Sequence, residues 1–253
     1  MKKYLLLIIV STISCIAQQK SKSLVWEENF NSDKLNENNW NFELGDGCPA
    51  ICGWGNNEKQ IYTQNNHTVK DGNLIITINK ENNNYTSTRI TTAGKKEFMY
   101  GKMEVRAKIP TGKGIWPAFW MLGSNISKVG WPKCGEIDIL EYVGREPSKL
   151  YTSLHTQDSH GNTVNTKITE VKNIEDGFHL YAIDWNKDKI EFFVDNQSVY
   201  VFSPTVKNDD TWPYNQSFYF IINTAVGGNF GGHAIDDSMF PQQFIIDYIK
   251  VYQ

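Results

Sequence analysis

From residue 24 to the end of the chain, apolar residues recur every second position in short runs, and no segment holds a helical period. KMEVRAKI (102–109) sets Met103, Val105, Ala107 and Ile109 against Lys102, Glu104, Arg106 and Lys108. KIEFFVD (189–195) alternates Ile190, Phe192 and Val194 with Glu191, Phe193 and Asp195, then turns at Asp195-Asn196. LVWEENF (24–30), NLIITIN (73–79), AFWML (118–122), LYTSLHT (150–156), HLYAIDW (179–185), SFYFIIN (217–223) and FIIDYIKVY (244–252) are further strand candidates. Many short strands, with none of the helical segments that βαβ units require, predict an all-β chain folded as a two-sheet antiparallel sandwich. The Asn-rich stretches NENNWN (36–41) and ENNNY (81–85) read as solvated loops. No repeat, linker or break in composition marks a second domain, so one sandwich over 24–253 is expected, preceded by a short tail at 18–23.

The chain has 253 residues and a net charge of −3, without a lysine or arginine cluster. That balance gives no electrostatic basis for a nucleic-acid or anionic-membrane partner and points to an uncharged substrate. MKKYLLLIIVSTISCIAQQ opens with two lysines, an apolar stretch and small residues, the layout of a secretory signal peptide over 1–17 cut after Ala17. The expected location is secreted or periplasmic. The alternative is a surface lipoprotein attached through Cys15, because Ser14-Cys15 resembles the end of a lipoprotein box; Thr12 stands where that box usually has leucine. The apolar stretch is too short to span a bilayer. Export permits disulfides, and Cys48 and Cys52 are close enough for a small bridge if the backbone turns, which leaves Cys134 over. No second Cys/His pair accompanies them, so a thiol zinc site is not expected.

Charge is concentrated where a strand should be apolar. GEIDILEYVG (135–144) carries Glu136, Asp138 and Glu141 among Ile137, Ile139 and Leu140. In a regular strand Glu136 and Asp138 share a face and Glu141 falls on the other, beside the isoleucines. A single strand acid is usually solvated, but an unpaired carboxylate on a core face is expensive. A one-residue β-bulge near Ile139-Leu140 removes the conflict by returning Glu141 to the face of Glu136 and Asp138. Two glutamates spaced so can bring their carboxyl groups to the ~5–5.5 Å of retaining glycosidases, against ~6.5–9.5 Å in inverting ones. Such a row also separates pKa values, leaving one group ionised to attack and another protonated to donate.

The pattern Glu136-Ile-Asp138-Ile-Leu-Glu141 resembles the active-site signature of family 16 glycoside hydrolases in its bulged form. GWGNNEKQIYT (53–63), TSTRITTAGKKEFMYGKMEVRAKIP (86–110), GIWPAFWMLG (114–123), WPKCGEIDILEY (131–142) and IIDYIKVYQ (245–253) look like the family's bacterial laminarinase branch. The resemblance covers nearly the whole mature chain. It implies a jelly-roll sandwich with a concave substrate cleft, Glu136 as nucleophile, Glu141 as general acid/base and Asp138 as the residue that orients and tunes the nucleophile.

Neutral polysaccharide is held by aromatic faces and a few fixed polar groups. Trp26 and Trp185 fit the apolar faces of ordinary strands and read as core. The resemblance places Trp116, Trp120 and Trp131 along the cleft, with Arg89, Asn57, Glu58 and Asn223 as sugar-contacting groups. It puts His155 on the strand next to the acids, near Glu141, where a lone strand histidine is otherwise structural. It also implies a structural calcium held by the backbone carbonyls of Glu28 and Gly72 and the carboxylate of Asp247, oxygen donors that suit a hard cation. No organic cofactor is implied.

The expected protein is a monomeric, endo-acting, retaining hydrolase of β-1,3-glucan, with no membrane contact unless lipidated at Cys15. A mixed-linkage β-1,3-1,4-glucanase and an algal galactan hydrolase are alternatives within the family. A non-catalytic lectin-like module would explain sandwich and tryptophans, but has no need of both Glu136 and Glu141 on one face. The loops at 31–47 and 203–216 are expected to set linkage preference.

Overall fold

The computed structural model describes residues 22–253; the predicted signal peptide, Cys15 and most of the tail lie outside the described residues. Those residues form two packed β-sheets with only two four-residue α-helices, Ile126–Val129 and Gly228–Gly231. One sheet has ten strands, and its main path runs Gln197–Phe202, Ile190–Val194, His179–Trp185, Gly101–Lys108, Gln242–Tyr252, Asn73–Glu81, Asn84–Ser87, Gln60–Tyr62. The other has eight, ordered Lys167–Glu170, Lys149–His155, Glu136–Glu141, Ile115–Gly123, Phe218–Val226, Arg89–Thr91, Asn41–Glu43. Pairing is antiparallel except between Gln60–Tyr62 and Asn84–Ser87. No described helix is long and apolar enough to cross a membrane.

The alternation in the sequence becomes the core. Met103, Val105 and Ala107 meet Tyr181, Ile183, Trp185, Ile190 and Phe192 from one sheet, and Phe119, Met121, Phe218, Phe220 and Ile222 from the other, all fully or almost fully buried. Trp185 belongs to this core and Trp26 packs on its margin, stacked against Phe220. Asp195 and Asn196 both take positive φ, the geometry of a tight hairpin turn between adjacent strands.

Two loop expectations are corrected. ENNNY is largely a hairpin, with Glu81 paired to Asn84 and Asn84–Ser87 clamped between two strands. Within 31–47, Asn41–Glu43 is an edge strand on Arg89–Thr91. Side-chain composition suggested loops there because both elements are short and their strand character comes from distant partners. Cys48 and Cys52 are bonded, and Cys134 is a buried free thiol.

Register also gathers the residues expected at the calcium site. Ile246 pairs with Leu74, just after the Asp71-Gly72 turn, and Ile249 pairs with Glu28, so Asp247 lies between the two. A bulge between Ile246 and Tyr248 displaces Asp247 from the regular alternation. Its Oδ2 is paired with the Arg106 guanidinium. The oxygen donors fit a hard cation, with Arg106 competing for the carboxylate.

Candidate active site

Glu136–Glu141 lies in the eight-stranded sheet, and its neighbours record the irregularity that the sequence demands. Against Ile115–Gly123 the register runs Leu122 to Glu136 and Trp120 to Asp138, then slips so that Ala118 meets Glu141. Against Lys149–His155 it runs Glu136 to His155 and Asp138 to Ser153, then slips so that Glu141 meets Tyr151. Ile137, Ile139, Leu140 and Tyr142 all join the core. Leu122, Trp120 and Ala118 share one side of their strand, and paired residues share a face, so Glu136, Asp138 and Glu141 stand together on the sheet's outer face. The bulge spans Ile139-Leu140 as expected.

That face is covered. Asp138 is 2% exposed and Glu141 9%, while Glu136 is more open. Burial first, then the charge of Glu136 and a hydrogen bond to it, push the Asp138 carboxyl well above the usual range. Glu141 is also pushed well above it, by burial first and then by Asp138, against weaker opposing effects from His155 and the Trp116 hydrogen bond. Burial and mutual repulsion thus favour the protonated form of the two buried acids.

Three indoles line the acids. Trp116 Nε1 donates to Glu141 Oε1 at 3.0 Å and Trp131 Nε1 to Glu136 Oε2 at 2.7 Å. Trp120 Nε1 donates to Asn223 Oδ1 at 2.8 Å. Trp131 remains 46% exposed, with an open ring beside the most accessible acid. Asn223 is buried and also donates to Tyr62 Oη at 2.9 Å, so it braces Trp120 from behind.

Arg89 is buried, ion-paired with Glu43, and lies between the rings of Trp54 and Trp120, its Cζ 4.4 and 4.9 Å from their centroids. Its charge is committed to Glu43 and to those aromatic faces. Glu58 is buried; its carboxylate takes hydrogen bonds from Gln60 at 2.6 Å, Asn56 at 3.2 Å and Tyr62 at 3.3 Å. Asn57 is exposed and donates to Asn229 Oδ1 at 2.9 Å.

His155 corrects the sequence reading. It stands opposite Glu136 rather than beside Glu141, with Nε2 3.1 Å from Asp138 Oδ2 and 3.8 Å from Glu136 Oε1. Tyr151 takes the place opposite Glu141, because the strands run antiparallel and the bulge offsets their register.

Sequence reasoning passed over Trp54 and Phe230. Phe230 meets Trp116 and Tyr151 edge-on, with centroids 5.2 and 4.9 Å away. It sits in GGNFGG, where an aromatic residue fenced by glycines signals a ring carried on a tight loop. The loop needs them: Gly228 has φ +78°, and a Cβ there would stand 2.7 Å from the Asn56 carbonyl oxygen. Asn229 N–H donates to that oxygen at 2.7 Å, joining this loop to GWGNNE.

Comparison with known proteins agrees with this geometry. A laminarinase from Flavobacterium sp. UMI-01 is 68% identical, with a TM-score of 0.90 over 91% of this chain and 100% of that one. An endo-β-1,3-glucanase from Pyrococcus furiosus is 37% identical, with a TM-score of 0.84 over 92% of this chain and 94% of that one. A glucan endo-1,3-beta-glucosidase from Cryptopygus antarcticus is 36% identical over 252 residues, 90% of each chain. The family model for glycosyl hydrolases family 16 matches residues 55–250, so this chain, with its acid row on the outer face of the sandwich, is a glycoside hydrolase of that family.

Proposed function

We propose that the chain is a secreted, endo-acting hydrolase that cleaves β-1,3-glucan with retention of configuration. The observation that carries the reading is the row Glu136, Asp138 and Glu141 on one indole-lined face, the carboxyl of its far member pushed well above the usual range, by burial first. Likeness to laminarinases and endo-1,3-β-glucanases over nine-tenths of the chain supports the substrate.

Glu141 holds the proton that the leaving glycosidic oxygen needs, and Trp116 fixes one of its oxygens. Glu136, the more open acid, attacks the anomeric carbon with one oxygen while Trp131 holds the other. The covalent glycosyl-enzyme is then released by water, whose proton returns to Glu141. Asp138, buried between them and sharing a hydrogen bond with Glu136, orients the nucleophile. Exposed Trp131 offers a ring face to the sugar, and the Trp54-Arg89-Trp120 stack extends the aromatic lining.

A structural calcium at Glu28, Gly72 and Asp247 belongs to the same proposal, as do a monomeric state and export through the leader at 1–17. The test is Glu136→Gln assayed on laminarin, lichenan and agarose. The parent should act best on laminarin, and the variant should lose about 10³-fold or more in kcat while still binding. A variant that hydrolyses laminarin as fast as the parent overturns the mechanism; a parent that prefers agarose overturns the substrate.

A further inference from the structure

We propose that the loop at 156–163 fixes the tautomer of His155 through the backbone amide of Gly161, so that the imidazole stands as an Nε2–H donor facing Asp138 and Glu136. Gly161 N–H donates to His155 Nδ1 at 3.1 Å. A ring nitrogen that accepts a hydrogen bond carries no proton, so the proton of the neutral imidazole resides on Nε2. That nitrogen is 3.1 Å from Asp138 Oδ2.

Two further observations lead to the same arrangement. Asp138 Oδ2 is buried and has no hydrogen-bond partner among the described residues, although His155 Nε2 lies 3.1 Å away. Buried acceptors find donors, and a small rotation of the ring supplies this one. The loop is also built to hold its amide in place. Ser159 O accepts from Thr156 N–H at 2.8 Å, the hydroxyls of Ser159 and Thr163 meet at 2.9 Å, and Thr163 Oγ1 donates to Leu154 O at 3.1 Å. Gly161 takes φ +65°, a left-handed conformation in which glycine is unstrained.

The other neutral tautomer fails on direction. The Nδ1–H tautomer sets two N–H groups against each other and turns a bare Nε2 lone pair toward two carboxyl groups. The Trp131 ring lies beside the imidazole, with centroids 6.0 Å apart. Donors then run in one direction, from Gly161 to His155 and from His155 to Asp138. His155 is a positioning residue for the acid pair, and this role rests on the proposed mechanism.

The test uses the mature chain labelled with ¹⁵N. Two-bond ¹H–¹⁵N correlation of the imidazole nitrogens at pH 8, with His155 assigned by the signals lost in His155→Gln, should show bare Nδ1 and protonated Nε2. An Nδ1–H ring overturns the proposal. This result does not depend on activity, so it stands apart from the failure of the glucanase reading. On laminarin, His155→Gln, whose amide nitrogen reaches the ε position, should keep kcat within about tenfold of the parent; the shorter His155→Asn should lose about tenfold more at unchanged KM. Equal losses in two variants that melt alike overturn it too.

Discussion

The bulge at Ile139-Leu140 has a consequence that separates it from a regular strand. Regular alternation turns one of two successive residues to the core and the other to the acid-bearing face, so truncating the outward one is cheap. Here Ile139 is 1% exposed and Leu140 0%, and both lie in the core between the sheets. Truncation of a buried Ile or Leu to Ala costs about 2–5 kcal/mol, from lost transfer energy plus the cavity left behind. For a domain of this size each kcal/mol moves Tm by about 2–4 °C, so Ile139→Ala and Leu140→Ala should each lower Tm by roughly 5–15 °C. The assay is urea and thermal unfolding of both variants beside the parent, with laminarin hydrolysis at 20 °C as control. Activity there should stay within about threefold, because the acids are positioned by pairing to both neighbouring strands rather than by these side chains. If either substitution costs less than about 1 kcal/mol, the two residues do not share a face and the bulge is wrong.

Trp116→Phe keeps a ring against Phe230 but removes the donor to Glu141 Oε1, which favours the ionised acid; the alkaline limb of kcat/KM should move to higher pH, and a limb that stays or falls counts against Glu141 as the acid. Because the folded carboxyl of Glu141 sits above its unfolded value, the fold loses stability as pH rises past the ordinary value of 4.5 and through the folded one. Glu141→Gln removes that loss and should melt higher than the parent at pH 7, with the gap closing toward pH 4, while hydrolysis falls by about 10³-fold or more. If calcium occupies the Glu28, Gly72 and Asp247 corner, EDTA should lower Tm and calcium restore it, and Asp247→Ala should abolish the response; identical melts in EDTA and calcium remove the site.

What the sequence showed of the fold follows from where each strand gets its identity. KMEVRAKI and KIEFFVD carry theirs in their own alternation, and the strands fall at Gly101–Lys108 and Ile190–Val194. Lys167–Glu170 has no apolar face; it is a strand only because Lys149–His155 supplies a ladder for its backbone. Arg89–Thr91 is the opposite case, buried at every position between Phe218–Val226 and Asn41–Glu43, so a charged residue stands in a run that alternation cannot score. Both are fixed by partners far away in the chain, which a local pattern does not encode.

The same distinction divides the site. The acid row was legible because its spacing creates a local conflict, a carboxylate on a core face, that only a bulge relieves. The place of His155 was not, since it depends on how that bulge shifts the next strand. With Glu141 held opposite Tyr151, an unbulged strand would carry Ile137 opposite His155 and leave Ser153 opposite Ile139. The inserted residue moves both partners by one, so that His155 meets Glu136 and Ser153 meets Asp138. It acts alike on the other side, where Trp120 meets Asp138 and Leu122 meets Glu136. One extra residue therefore aligns outward-facing side chains on three strands, and the three acids, the imidazole and the Trp120 indole reach one surface through a single irregularity.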